Sequence, residues 1–383
     1  MAGSFWRKGL ALAVLVAIWL PSSRGWSAEP YRIGGIFAVT GPASFLGDPE
    51  KKSMELAIEE INAKGGIDGH PLEAVIYDTE GDPGKTVLAA NKLISKDRVL
   101  AIVGPSLTPT SMAAIPVAEK AGIPLVSCAA GILITEPVKP WIFKTAQNDS
   151  LAVAAIYGHM QSRGIKKIGI LTVENTFGES GRDQLAAQAS RFGIAIVKKE
   201  TFGAKDTDMT AQLTKIRSAQ PDAFVCWGTN PGPAVIARNA RQMNLKIPLY
   251  QSHGVASPKF VELAGEASEG IVLPTGKILV TEQLDPADPQ KAVLQQYSEQ
   301  FQKRFRIPVS GFGGYAYDAV NLLAKALPGT GGDSAKVRDA LEKIQNHVGV
   351  SGAFGFSPTD HSGLKDDAFV MVEIKGGSWQ MIK

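Results

Sequence analysis

Cysteine and histidine are scarce in this sequence of 383 residues. The two cysteines, Cys128 and Cys226, stand in the apolar stretches LVSCAAG and AFVCWG, with no second ligand at metal-binding spacing. We expect both to be buried small hydrophobic residues, with a disulfide or a metal pair as the alternatives. The five histidines form no metal-binding pattern either: His70, His159, His253, His347 and His361. The sequence therefore predicts no metal site and no cofactor.

Catalytic sequence patterns are also missing, since there is no H-E-x-x-H and no G-x-S-x-G. The stretch GDPGKT at 81–86 resembles a phosphate loop, but Thr79 stands where the first glycine of that motif belongs. Asp82 followed by Pro83 instead predicts a helix start, with Asp82 as the N-cap and Pro83 as the first helical residue. We expect a protein that binds no nucleotide, has no catalytic residues and is not an enzyme.

An excess of positive charge is missing once the N-terminal segment is set aside. The formal charge of +3 includes Arg7, Lys8 and Arg24, and no acidic residue precedes position 29, so the remainder comes to 3 minus 3, or zero. Nothing in this balance points to nucleic acid as a partner. The chain is 44% apolar and long enough for two domains with a sizeable core.

Residues 1–28 have the layout of a secretory signal peptide. Two basic residues precede the apolar run GLALAVLVAIWL, and small residues follow it. A membrane anchor is the alternative, but a spanning helix needs about 20 apolar residues and this run is shorter. We expect cleavage after Ser27 or Ala28, and no lipid anchor because no cysteine lies near that boundary. The mature protein is then predicted to be periplasmic.

After Pro30 the chain alternates short apolar runs with amphipathic segments, which indicates parallel sheets buried on both faces. The series predicts two α/β units, at about 30–146 and 147–274. Segments 288–305 and 313–345 are expected to be helices covering them. GAFGFSPTD and AFVMVEIKGGSWQMI are expected to form a C-terminal hairpin with a Gly-Gly turn.

Three connections are expected to cross between the two units, at 144–149, 272–277 and 352–356. The predicted fold is thus α/β, with two doubly wound parallel-sheet lobes joined by a three-crossing hinge. One lobe is expected to comprise residues 29–146 and about 276–352, and the other residues 147–275 and about 353–383. Open α/β sheets bind ligands at the carboxyl ends of their strands, so a shared cleft is the expected site.

The stretch GPSLTPTSMAAI at 104–115 is the strongest candidate for an anion site. Thr108 is expected to be an N-cap, with Pro109 as the first helical residue and Ser106 just before. Free backbone N–H groups and the helix dipole would stabilise a carboxylate there by about 0.3–2 kcal/mol per interaction. An ordinary capped helix is the alternative.

Several stretches in the right order together resemble one family: VTGPASFLG, YDTEGDPGKT, AIVGPSLTPTSMA, IPLVSCAAG, FKTAQND, ENTFGESG, GTNPGPA and YAYDAV. The chain resembles the type I periplasmic binding proteins that serve branched-chain and hydrophobic amino-acid ABC transporters. The resemblance covers essentially all of the predicted mature chain. It implies a clamp of two lobes that closes on its ligand.

The resemblance also implies roles for individual residues. Thr108 falls where the family places a hydroxyl on the ligand carboxylate, helped by the backbone around Ser106. Ala129 falls where a backbone carbonyl accepts the ligand ammonium. Apolar contacts with the ligand are implied for Phe45, Leu46 and Phe177.

Three positions depart from the amino-acid pattern of the family. Gly131 stands where a Ser or Thr hydroxyl is expected, Asn230 where an aromatic residue is common, and His253 where amino-acid binders carry an acid. Burying an ammonium without a carboxylate partner costs several kcal/mol, so an aromatic or 2-oxo acid competes with an amino acid as the expected ligand. A neutral His253 could donate to a ligand oxygen or only cap a strand end. Glu174 is a second candidate for the missing charge.

The resemblance implies a solute-binding protein that delivers a small hydrophobic carboxylate to an inner-membrane ABC permease. We expect it to be a monomer. A periplasmic sensor built on the same clamp is the alternative. That alternative would be supported by a DNA-binding or transmembrane segment, which this sequence does not contain.

Overall fold

The computed structural model describes residue 1 and residues 28–382. The predicted signal peptide therefore lies outside the described residues, apart from its two ends. Within the described part of the chain, no helix combines the length and the apolar character needed to cross a membrane.

The first lobe is built on a five-stranded sheet in which every strand is parallel to its neighbours. The strand order is β2-β1-β3-β4-β5, the doubly wound order in which a ligand site lies between β1 and β3. The strands are β1 (Tyr31–Phe37), β2 (Leu72–Asp78), β3 (Ala101–Val103), β4 (Leu125–Ser127) and β5 (Ile142–Lys144).

The second lobe repeats this order and extends it to seven strands, as β14-β13-β10-β9-β8-β6-β7. Strands β6 to β10 are parallel, whereas β13 and β14 add an antiparallel edge, so this sheet is mixed. The strands are β6 (Lys167–Val173), β7 (Ala195–Phe202), β8 (Ala223–Trp227), β9 (Leu249–Gln251), β10 (Val272–Thr275), β13 (Val370–Lys375) and β14 (Ser378–Ile382). A separate two-stranded ladder pairs β11 (His347–Val348) with β12 (Ala353–Phe354).

Helices cover both sheets and follow the strands that the apolar runs predict. Those of the first half of the chain are α1 (Ser44–Ala63), α2 (Pro83–Ser95), α3 (Thr108–Ala121), α4 (Asp149–Ser162) and α5 (Thr176–Gln188). Those of the second half are α6 (Thr210–Ser218), α7 (Gly232–Gln242), α8 (Pro258–Ala264), α9 (Lys291–Phe305), α10 (Gly311–Ala326) and α11 (Ser334–Leu341). Among the described residues, short 3-10 helices lie at Ile132–Ile134, Ala189–Phe192, His253–Val255, Gly265–Ser268, Lys277–Gln283 and Asp366–Ala368.

Two helix ends have the residues that are typical of such positions, one at the start of α2 and one at the end of α3. The Asp82 carboxylate accepts the Lys85 backbone N–H at 2.7 Å, and Pro83 opens α2, so GDPGKT is a helix start. Gly122 ends α3 with a φ of 65°, in the left-handed region that favours glycine. The segment predicted as one helix at 313–345 is two helices, α10 and α11, separated by a turn.

The connections between the lobes meet around Gln147. Its side-chain amide donates to the Ser351 carbonyl at 2.8 Å and accepts the Tyr315 hydroxyl at 2.8 Å. A Cβ added at Gly276 would lie 3.2 Å from the same amide nitrogen, so the second crossing passes beside it. The two crossings at 145–148 and 275–277 are therefore neighbours, and Ser351 of the first lobe lies beside them.

The third crossing lies further along the chain than expected. Residues 353–364 do not cross at 352–356, because they stay on the first lobe: the Lys144 N–H donates to the His361 carbonyl at 3.1 Å. Phe143 stacks on the His361 ring at 4.0 Å between ring centroids. GAFGFSPTD is accordingly no part of the C-terminal hairpin, which consists of β13 and β14 joined by a Gly-Gly turn. The chain enters the second sheet only near residues 365–369.

Candidate functional site

A small cavity lies between the lobes, at the carboxyl ends of the strands. Helices α3 and α5 begin beside it from opposite lobes. Its lining is mostly small, apolar and hydroxyl residues: Leu46, Ser106, Leu107, Thr108, Pro109, Cys128, Ala129, Ala130, Ala146, Asn175, Phe177, Thr229, His253, Gly254, Phe312 and Tyr315.

The first-lobe wall of this cavity consists of Ser106, Thr108 and Ala129. Helix α3 begins at Thr108, not at Pro109, so the expected N-cap role of Thr108 is wrong by one residue. The Thr108 hydroxyl instead accepts the backbone N–H of Gly131 at 3.2 Å. That bond ties the loop after β3 to the loop after β4 and fixes the hydroxyl beside the cavity.

Ser106 is held by the first strand and by a buried carboxyl group. Its hydroxyl accepts the Ala38 N–H at 3.0 Å and donates to Glu50 on α1. Glu50 is fully buried, and burial raises its pKa well above the usual range, against the lowering effect of the Ser106 hydrogen bond. Burial therefore favours the neutral form of Glu50, which would add no negative charge to this wall.

The loop after β4 is fixed in the same way. The Ser127 hydroxyl bonds that of Ser111 at 2.7 Å and accepts the Ala129 N–H at 3.1 Å. The ammonium of the fully buried Lys144 donates to the Ala130 carbonyl at 2.8 Å. The neighbouring Ala129 carbonyl thus remains the one expected to meet a ligand, and its role stays a prediction.

Gly131 lies behind this wall rather than in the cavity lining. A Cβ added there would stand 2.3 Å from the Thr108 methyl carbon Cγ2 and 3.0 Å from its Oγ1. Real Cβ atoms do not approach that closely, so the space of a Ser or Thr at 131 is filled by Thr108. This contact gives a physical reason for the glycine.

The second-lobe wall consists of Asn175, Phe177 and His253. Asn175 caps α5, its side-chain oxygen accepting the N–H groups of Phe177 at 3.0 Å and Gly178 at 3.1 Å. The Phe177 ring meets the His253 ring edge-on at 5.8 Å between centroids. Trp227 and other aromatic rings enclose the imidazole further, which leaves His253 only 3% exposed.

A buried carboxylate lies against His253. The Asp149 Oδ1 is 3.6 Å from the His253 Nε2, while Oδ2 accepts the Ser180 hydroxyl. Burial, reinforced by the charge of Lys144, lowers the pKa of His253 to about 3, so the ring is neutral at ordinary pH. Burial raises the pKa of Asp149 to about 6, opposed by the Ser180 hydrogen bond and by Lys144.

Six of the nine residues expected at the site line the cavity: Leu46, Ser106, Thr108, Ala129, Phe177 and His253. The structure does not bring the other three into the lining. Phe45 packs edge-on against the lining residue Phe312, at 5.7 Å between ring centroids. Asn230 is buried next to the lining residue Thr229, and Gly131 contacts Thr108. Whether any of the nine binds a ligand stays a prediction.

Glu174 does not supply charge to the cavity. It is exposed, accepts the Thr201 hydroxyl at 2.6 Å directly after β6, and is not among the lining residues. Cys128 and Cys226 are free and buried, as expected for small hydrophobic residues, and burial raises the pKa of both thiols.

Sequence reasoning missed Asp149 and two aromatic residues of the lining, Phe312 and Tyr315. The aromatic pair stands three positions apart on α10, so both side chains lie on one helix face. This spacing in the sequence could have indicated that the two aromatic residues lie on the same helix face. Nothing local in the sequence, however, brings α10 next to the first loop.

Comparison with known proteins agrees with this architecture. Residues 30–378 match the family described as periplasmic binding protein. A leucine-, isoleucine-, valine-, threonine- and alanine-binding protein of Pseudomonas aeruginosa is 28% identical, over 92% of each chain.

Among solved structures, an extracellular ligand-binding receptor of Rhodopseudomonas palustris superposes with a TM-score of 0.86 at 26% identity, covering 92% of this chain and 99% of its own. The branched-chain amino acid transporter substrate-binding protein LivJ of Streptococcus pneumoniae, in complex with isoleucine, gives 0.81 at 28% identity, over 92% and 99% of the two chains. Fold, strand order, interlobe cavity and these matches agree. The chain belongs to the periplasmic binding protein family, as a type I member related to the leucine-binding proteins.

Proposed function

We propose that this protein is the extracytoplasmic solute-binding component of an ABC uptake transporter and binds a small hydrophobic carboxylate between its lobes. The carboxylate is placed at the start of α3, where the Thr108 hydroxyl and first-turn N–H groups provide donors. The hydrophobic part of the ligand is placed against Leu46, Phe177 and Phe312.

The observation that carries this proposal is the fixed position of Thr108 at the N-terminus of α3. Its Oγ1 already accepts the Gly131 N–H, so its own O–H is free to donate to an acceptor in the cavity. A hydroxyl oriented before the ligand arrives loses little entropy on binding. The relatives named for leucine, isoleucine and valine support a ligand of this class.

A thermal-shift screen of the mature protein tests the proposal. The ligands are the twenty amino acids, benzoate, phenylpyruvate and the branched 2-oxo acids. A ligand at 100 times its dissociation constant adds about 2.7 kcal/mol to the free energy of unfolding. A screen in which no carboxylate raises the melting temperature would contradict the proposal.

Export and delivery to a permease need separate measurements. N-terminal sequencing of the periplasmic protein should begin at residue 28 or 29. Deleting the gene should abolish uptake of the radiolabelled ligand in the native host. Unchanged uptake, together with tight binding in vitro, would favour a sensor over a transport component. Analytical ultracentrifugation should give a monomer.

A further inference from the structure

A hydrogen bond joins the two lobes away from the crossings at 145–148 and 275–277. The backbone N–H of Ile132 donates to the Ser180 hydroxyl at 3.2 Å. Ile132 lies in the loop after β4 of the first sheet, whereas Ser180 lies on α5, which follows β6 of the second. Neither residue is among those that line the cavity, but the lining residues Ala130 and Phe177 stand two and three positions before them. The bond thus joins segments that continue directly from the two cavity walls.

The Ser180 hydroxyl is oriented for this contact by its own lobe. Its O–H donates to the Oδ2 of Asp149, the first residue of α4, and both side chains are buried. A hydroxyl has one proton to donate, so with that proton directed at Asp149 its lone pairs are left to accept. The Ile132 N–H is the donor that meets them. The second lobe therefore presents an oriented acceptor to the first.

The loop that carries Ile132 is fixed by the first lobe. Lys144 donates to the carbonyls of Ala130 at 2.8 Å and Gly131 at 3.4 Å. The Thr108 hydroxyl accepts the Gly131 N–H at 3.2 Å. The next donor along the loop, the Ile132 N–H, is the one directed at the other lobe. Since Thr108 is also the residue proposed to bind the ligand carboxylate, the ligand and the contact between the lobes share one loop.

We infer that the Ser180 hydroxyl and the Ile132 N–H hold the lobes together over the ligand, so that Ser180 is a positioning residue that determines affinity without touching the ligand. A contact made only when the lobes meet raises the population of the binding-competent state, and the apparent dissociation constant rises as that population falls. Loss of the bond should weaken every ligand by the same factor, because no ligand atom takes part in it. The inference rests on the proposed function and adds a determinant of affinity outside the cavity lining.

Two substitutions remove this bond from opposite sides. Ser180→Ala removes the acceptor, and Ile132→Pro removes the donor N–H at the first residue of a 3-10 helix, where the φ of proline suits a helix start. The preceding Gly131 has an extended ψ of 133°, which is compatible with a following proline. The probes for isothermal titration calorimetry are leucine, phenylalanine, benzoate and phenylpyruvate. Each probe that binds wild type should bind both variants at least about threefold more weakly, by the same factor for every probe.

The variant with both substitutions shows whether the two residues act through one bond. Its affinities should equal those of the single variants, whereas independent effects would multiply to about ninefold or more. Ser268→Ala is the matched control, because Ser268 is buried in the second lobe and its hydroxyl donates to the Gly265 carbonyl at 2.7 Å within that lobe. The control should lower the melting temperature and leave every affinity unchanged. If one of the two single variants does not fold, the other must show the loss by itself.

Stopped-flow kinetics gives a readout that a loss of stability alone would not change. Because a contact formed over the ligand slows its release, Ser180→Ala should release the ligand at least about threefold faster, with an association rate within about twofold of wild type. Unchanged affinity in Ser180→Ala or Ile132→Pro would overturn the inference. So would losses that multiply in the double variant, or a loss confined to one of several probes that bind. Each of these outcomes leaves the proposed function in place, whereas a thermal-shift screen in which no carboxylate binds wild type would overturn both.

Discussion

The two walls of the cavity differ in how far their buried polar groups are hydrogen-bonded within the protein. In the first-lobe wall, the hydroxyls of Ser106 and Thr108 and the N–H of Ala129 are held by hydrogen bonds from their own lobe. In the second-lobe wall, His253 has two buried nitrogens with no partner among the described residues, and Asp149 behind it has an open oxygen.

Under the proposed function, this difference would give the two walls different roles in ligand binding. A wall whose polar groups are already oriented binds its part of the ligand at little entropic cost and provides the common anchor. A wall with open polar groups gains hydrogen bonds only when a complementary ligand arrives, so it discriminates between ligands. Thr108 and Ala129, for which the family resemblance implies ligand contacts, lie in the first wall, and the departure at His253 lies in the second.

The largest expected effect is the decrease in ligand affinity when the Thr108 hydroxyl is removed. Thr108→Ala should weaken every carboxylate ligand by about 1.5–3 kcal/mol, or about ten- to 150-fold, because a hydrogen bond to a charged group is lost. Thr110→Ala is the control, since Thr110 is not among the lining residues and its hydroxyl donates to the Leu107 carbonyl. Calorimetric affinities that are equal in Thr108→Ala and wild type would remove Thr108 from the site.

The packing between the two loops of the first-lobe wall gives the next effect. Gly131→Ser should lower the free energy of unfolding by about 2 kcal/mol, because its Cβ would overlap the Thr108 methyl group. Thr108→Ser in the same chain removes that methyl group and should restore most of the loss. Urea denaturation of the two variants checks this. Equal stability of Gly131→Ser and wild type would mean that the loop can move to make room for the new side chain without loss of free energy of unfolding.

The buried His253 of the second-lobe wall should affect how the free energy of unfolding depends on pH. His253 has a lowered pKa of about 3 in the folded protein, so its contribution is present above the unfolded value of about 6.5 and is lost as the pH falls. Between pH 7 and 5.5 this amounts to about 1.3 kcal/mol. Asp149 and Asp318, with raised pKa values of about 6, act in the opposite direction, so the test compares variant with wild type.

His253→Gln should therefore lose less stability than wild type on acidification over that range, measured by urea denaturation at both pH values. His70→Gln, at a half-buried ring stacked on Tyr31, controls for the loss of an imidazole elsewhere. Parallel pH curves for His253→Gln and wild type would contradict a neutral, buried His253.

The smallest effect is expected at a residue outside the lining. Asp82→Ala removes the N-cap of α2 and should cost about 1 kcal/mol in the free energy of unfolding, with no change in ligand affinity. Chemical denaturation and calorimetry on the same preparation check both statements. A change in affinity would mean that the first-lobe wall depends on helices outside the cavity.

Features encoded by neighbouring residues were predictable from the sequence. Asp82 and Pro83 mark a helix start by themselves, and apolar runs such as AFVCW at β8 indicate buried strands. The third crossing was misplaced because GAFGF has the same pattern whether it pairs with a hairpin or packs on Phe143. Asp149 behind His253 was missed for the same reason: two residues far apart in the chain meet only after the second lobe has folded.

The helices that complete the first lobe come late in the chain. Tyr317 of α10 donates its hydroxyl to Glu60 of α1 at 2.6 Å, although the two residues are 257 positions apart. Closing so long a loop costs entropy before any contact repays it, and contacts of this range slow folding. The lobe that begins first is thus finished only after strands β6 to β10 of the second have been synthesised, and until then the apolar face that α10 will cover is open to aggregation or to a chaperone.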